Sequence, residues 1–141
     1  MRVLLVTAGE PLPFDRADIR LHRTGQFAAW LAAHGHEVDW VTNRFDHFRK
    51  VQRDGPDVVA VSPSYRIHLL NSRGYRRNIS VARFLDHADL GRNFRARATQ
   101  FGPADVVLAA MPTIELAAEA VEWANARRVA SFVDIRDLWP D

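Results

Sequence analysis

The sequence has no cysteine, a single lysine and no long apolar run. Without cysteine, the 141-residue chain has no disulfide framework, thiolate metal site or thiol nucleophile. This fits a reducing compartment, the cytosol being the simplest address. The first apolar stretch, Val3 to Val6 followed by Thr7, is too short for the core of a signal peptide or for a bilayer span. No Gly-x-Gly-x-x-Gly follows it, which ranks a dinucleotide-dependent oxidoreductase last among the readings. There is no internal repeat or low-complexity tract. His22, His34, His36, His68 and His87 lack metal-ligand spacing and read as surface or capping residues, so no metal and no cofactor are expected.

What is present in quantity is arginine. Lys50 is the only lysine among 19 basic residues, against 17 acids and a net charge of +2. Guanidinium groups keep their charge when partly buried and grip phosphates or carboxylates through paired hydrogen bonds. Residues 66–97 hold eight arginines against Asp86 and Asp89, whereas residues 101–141 hold seven acids against three arginines. This asymmetry predicts a basic patch that includes Arg73, Arg76, Arg77 and Arg83. With Tyr75 and Phe84 the patch suits an anionic membrane surface; a solvated face and a nucleic-acid track are the alternatives, the last disfavoured by the small net charge and the lack of a nucleic-acid motif.

With 48% hydrophobic residues the chain can bury the core of one domain. Arg2 to Thr7 is a short apolar, branched run, as in a strand covered on both faces. Gly9, Pro11 and Pro13 make the following segment a loop at that strand's carboxyl end, where open α/β folds bind ligands. A helix is expected from an Asp18 cap to His34, closed by Gly35, and a strand over Glu37 to Thr42. Residues 43–64 suit a hairpin, and Arg66 to Leu70 a third strand. Ser80 caps a long helix whose apolar stripe shifts from Val81, Phe84, Leu85 and Ala88 to Leu90, Phe94, Ala98 and Phe101. That shift implies a bend near Gly91 or two packing partners. A strand at Asp105 to Ala110, a helix opened by Pro112 and Thr113 and running to about Asn125, and a strand at Arg128 to Ile135 complete a doubly wound, Rossmann-like parallel sheet in three α/β/α layers. Trp30, Trp40 and Trp123 are expected in the core.

Candidate site residues follow from that edge. Arg136 and Asp137 form a compensated pair at the crevice, with Asp137 orienting a sugar hydroxyl and Arg136 holding a phosphate or carboxylate; a structural ion pair capping the sheet is the alternative. Gly9 and Glu10 lie in the first loop, where Glu10 is either a contact for a sugar hydroxyl or an exposed loop acid. Asp46 and His47 suit a general-base pair, although neighbours on an extended chain point oppositely. Pro112 and Thr113 open a helix at the same edge.

Several segments carry a resemblance: Val133-Asp-Ile-Arg-Asp-Leu-Trp-Pro-Asp141, Gly35-His-Glu-Val38, Pro103-Ala-Asp-Val-Val-Leu-Ala-Ala110 before Pro112 and Thr113, Phe45-Asp-His-Phe-Arg-Lys50 and Gly74-Tyr-Arg-Arg-Asn-Ile-Ser80. In their order and spacing they resemble the N-terminal domain of family 4 glycosyltransferases of the bacterial surface-polysaccharide type. The resemblance implies residues 1–141 as the acceptor-side half of a retaining GT-B enzyme, with the donor-binding C-terminal domain absent and the fragment inactive alone. It also implies a nucleotide-sugar donor, a glycan or lipid-linked acceptor, no metal, and a cytoplasmic location peripheral to the membrane. Two features depart from the pattern. Only Gly9 stands where many relatives have paired glycines, and Arg136 and Asp137 stand where many have a histidine. A stand-alone binding module for a nucleotide, a glycolipid head group or a protein is the competing function.

Overall fold

The structure, a computed structural model, describes residues 1–136. In chain order the elements are β1 (Arg2–Val6), α1 (Arg23–Ala33), β2 (Glu37–Asn43), β3 (Phe45–Asp46), β4 (Val51–Gln52), β5 (Val58–Ser62), β6 (Tyr65–Leu70), α2 (Val81–Ala96), β7 (Val106–Ala110), α3 (Ile114–Ala126) and β8 (Ala130–Asp134). Six strands form one sheet in the order β5-β6-β2-β1-β7-β8, while β3 and β4 make a separate small hairpin.

The period of two in β1 places the sheet between two apolar layers. Leu4 and Val6 pack with Leu90, Phe94, Leu116, Ala120 and Trp123 beneath α2 and α3. Val3 and Leu5 pack with Leu12, Ala28, Leu31, Trp40 and Ile67 beneath α1. Covered on both faces, β1 pairs in parallel with β2 and β7. The expected parallel sheet therefore holds, except that β5 runs antiparallel to β6. Pro63 and Ser64 turn the chain back there, a hairpin too short for a crossover.

Three expectations change. α1 starts at Arg23, not after Asp18, whose carboxylate instead meets Arg16 at 3.0 Å. The N-terminus of α1 is capped from a distance: Glu10 accepts hydrogen bonds from the Thr24 amide at 3.1 Å and the Thr24 hydroxyl at 2.7 Å. α2 is continuous through Gly91. Glycine serves packing at that point, because a Cβ would meet Glu115 Cβ and its carbonyl oxygen at 3.2 Å, so α3 lies directly against α2. The stripe of α2 shifts because its first half is uncovered: Val81 is 74% exposed and Phe84 69%, whereas Leu90 and Phe94 are buried. Finally, Trp40 and Trp123 are in the core, but Trp30 is exposed and stacks on His34 with ring centroids 4.0 Å apart.

At the other edge of the sheet, β8 leaves Phe132, Val133 and, just beyond it, Ile135 exposed.

Candidate functional site

The strand order reverses between β2 and β7, the two neighbours of β1, so the carboxyl ends of β1 and β7 part around a crevice. A pocket of ≈ 110 Å³ occupies it, with Gly9 from the loop after β1, Asn43 from the end of β2, and Pro112 and Thr113 before α3 on its walls. Gly9 has φ +83°, and its amide donates to the Asn43 side-chain carbonyl at 2.9 Å, which fixes the loop over the pocket. Thr113 is the N-cap of α3 but makes no side-chain cap bond. With Pro112 and Thr113 on its wall, the cavity borders the N-terminal end of α3.

The remaining wall comes from the β3–β4 hairpin and α2. His47 Nδ1 lies 2.6 Å from the Tyr75 hydroxyl. The Lys50 ammonium sits 4.6 Å above the Tyr75 ring, and the Arg83 guanidinium carbon lies 5.8 Å from that ring's centroid. Burial holds His47 below the usual imidazole range, and the Lys50 and Arg83 charges push it the same way against the opposing pull of Asp46. Burial likewise lowers His87, reinforced by Arg83 and opposed by Glu115 and Asp86. Both histidines are thus biased toward the neutral form. Asp86 is 1% exposed and accepts the Gly74 amide at 2.6 Å.

A second cluster lies along the same rim. Arg136 pairs with Glu10, meets Asp134 at 2.9 Å and donates to the Thr24 hydroxyl at 2.7 Å, while Arg23 meets Asp134 from the solvent side at 3.0 Å. Burial alone would depress the Arg136 pKa; the hydrogen bonds and charges of Glu10 and Asp134 outweigh it and raise it. The same holds in mirror image for Asp134, where burial is outweighed by hydrogen bonds from Arg136 and Arg23 and the carboxyl is lowered.

Of the residues singled out in the sequence, Gly9, His47, Pro112, Thr113 and Arg83 share the pocket. Glu10 and Arg136 are joined to each other beside it. Asp46 does not bond His47; it is buried and accepts the Phe48 and Arg49 amides at 2.8 and 3.0 Å. Arg73 clamps Asp89 at 2.7 Å, and Arg76 and Arg77 are exposed. Asp137 lies outside the described residues. Two histidines depart from the expectation of surface or capping roles: His68 is buried against Asp39 at 2.7 Å, and His87 lines the pocket. Asn43, Tyr75 and Asp86 also line it without having been singled out as site residues. The position of polar Asn43 at the carboxyl end of β2 was the signal available for the first of them.

No family model matches the sequence, and no curated protein matches it. Among solved structures, one of sucrose-phosphate synthase from Thermosynechococcus elongatus superposes with a TM-score of 0.58 at 18% identity, covering 97% of this chain and 64% of that one. A second structure of the same enzyme gives 0.57 at 19% identity, covering 95% of this chain and 32% of its own. The fold is that of a GT-B half-domain. This chain spans less than two-thirds of the length of either neighbour.

Proposed function

We propose that this chain is the N-terminal, acceptor-side domain of a retaining glycosyltransferase of family 4. It transfers a sugar from a nucleotide-sugar donor to a lipid-linked glycan in surface-polysaccharide synthesis. The observation that carries this reading is the pocket at the switch point, where Asn43, His47, Tyr75 and Thr113 bring hydrogen-bond donors and acceptors to one rim. Such a mixed lining suits a polyhydroxylated ligand better than an apolar one. The exposed apolar edge at Phe132, Val133 and Ile135 supports a covering partner. Catalysis uses Asp137 and Arg136 without a metal, and Arg136 is held in place by Glu10 and Asp134.

The lipid-linked acceptor has its own support. Arg76 and Arg77 stand next to Ile79, 96% exposed, and to Val81 and Phe84 of the uncovered half of α2. This combination of guanidinium and apolar side chains fits the headgroup region of an anionic cytoplasmic leaflet. Among the described residues no helix is long and apolar enough to cross a membrane.

The test is a kinetic split in the complete enzyme. Thr113→Val and Asn43→Ala should raise the KM for acceptor by roughly tenfold or more and leave the KM for donor unchanged. A change confined to the donor KM would assign the pocket to the other substrate. Turnover by residues 1–141 alone would refute the division into two lobes.

A further inference from the structure

We infer that the pocket between the Gly9 loop, His47 and the start of α3 is a phosphate site, with Arg83 and Lys50 as its cationic ligands. Among the described residues neither Lys50 nor Arg83 has a carboxylate within ion-pair distance, whereas eleven other arginines do. Arg83 donates through one terminal nitrogen to the Asn78 carbonyl at 3.1 Å, but its Nε is buried with no hydrogen-bond partner among the described residues. An orphaned guanidinium N–H is costly unless a ligand accepts it. Lys50 is held on the same spot by Asn78 Oδ1 at 2.6 Å and by the Tyr75 ring, and its backbone adopts a left-handed φ of 58°, unusual for a residue with a side chain. Thr113, on the wall of the same pocket, opens α3 without a side-chain cap bond, so the positive end of that helix borders the site.

Of the nearby acids only Asp86 lines the pocket, and each is engaged away from the two cations. Asp86 is committed to the Gly74 amide, Asp46 to two amides of its own turn, and Glu115 stands 3.9 Å from His87. A phosphate oxygen at Arg83 Nε completes that guanidinium, and the dianion offsets Arg83, which disfavours protonation of both His47 and His87, and Lys50, which disfavours that of His47. The site deepens the proposed function, on which it rests only for the identity of the molecule that carries the phosphate.

Inorganic phosphate at constant ionic strength is the first probe, followed through the imidazole NMR signals of His47 and His87. Saturable shifts and higher pKa values for both rings are expected in the bound state. Arg83→Gln should weaken binding by roughly tenfold, while Arg128→Gln, an exposed arginine outside the pocket, leaves it unchanged. If Arg83→Gln fails to fold, as judged by its thermal midpoint, Lys50→Gln carries the same expectation. Unsaturable shifts, full affinity in the folded variant, or equal loss in Arg128→Gln would each overturn the site. Competition then names the carrier: a hexose phosphate displacing inorganic phosphate assigns it to the acceptor, and a nucleoside diphosphate doing so assigns it to the donor. Failure of both to displace it overturns the assignment to a substrate. Phosphate binding without sugar transfer by the complete enzyme would remove the transferase reading and leave the pocket; transfer without phosphate binding would do the reverse.

Discussion

Glu10 and Arg136, 126 residues apart, are joined by an ion pair that ties the loop after β1 to the segment after β8. Glu10 is 5% exposed and caps α1, so removing the arginine strands a buried carboxylate. Arg136→Met should cost on the order of 2–3 kcal/mol, below the range for fully buried pairs because the arginine keeps some solvent contact. Adding Glu10→Gln should restore part of the loss. Urea titration of the two single variants and the double variant checks this, and additive losses would deny the coupling.

Acid should expose a different pair. Arg73 donates to Asp89 and, against the effect of burial and with help from Arg92, holds its carboxyl down to about 2. A depressed carboxyl stabilises the fold above its unfolded value of 3.8 and loses that contribution as pH falls toward about 2. Because both arginines are largely exposed, the contribution is about 1 kcal/mol after solvent screening. Stability measured between these limits should fall less steeply in Asp89→Asn than in the parent protein.

Gly74 sets the position of the pocket's inner wall. Its φ is +72°, and a Cβ would sit 2.7 Å from the Phe45 ring. Gly74→Ala should therefore lower stability by about 2–4 kcal/mol, combining left-handed strain with overpacking. It should also disturb the Asp86 contact and shift the His87 resonance. Thermal unfolding and histidine NMR report the two effects separately.

For the membrane surface, Arg76→Glu with Arg77→Glu should abolish most binding to anionic vesicles at low salt, each charge being worth about 1 kcal/mol. Phe84→Ser should weaken the binding that remains at high salt, where charge is screened. Cosedimentation with phosphatidylglycerol vesicles measures both, and a null result in either condition would remove the corresponding half of the surface.

The layers of the fold were legible because β1 and β7 are apolar runs between turn residues, which leaves few alternatives to strands covered on both faces, and because β2 alternates polar and apolar residues. The β5 reversal was not, since Val58 to Ser62 carries the same composition as a parallel strand and only pairing distinguishes them. The start of α1 was misplaced for a related reason: Asp18 is a good local cap, but the cap in use comes from Glu10 across a loop, a tertiary choice that local pattern does not encode. Within the site, Gly9, Pro112 and Thr113 announced themselves by position at strand ends. Tyr75 and Asp86 did not, because a 12-residue separation of Gly74 from Asp86 is bridged only after α2 packs. Asp46 and His47 show the opposite error: adjacency in sequence suggested cooperation, while the turn sends the carboxylate to backbone amides and the imidazole to Tyr75.

The uncovered last strand sets the handling of the isolated polypeptide. β8 ends the sheet with Phe132 61% exposed, so its outer backbone groups offer a template on which another copy can add strand to strand. Concentrated preparations should accordingly stick edge to edge, and a lysine at Phe132 would keep them from doing so through β8 while leaving β5, the edge strand at the opposite margin, unchanged.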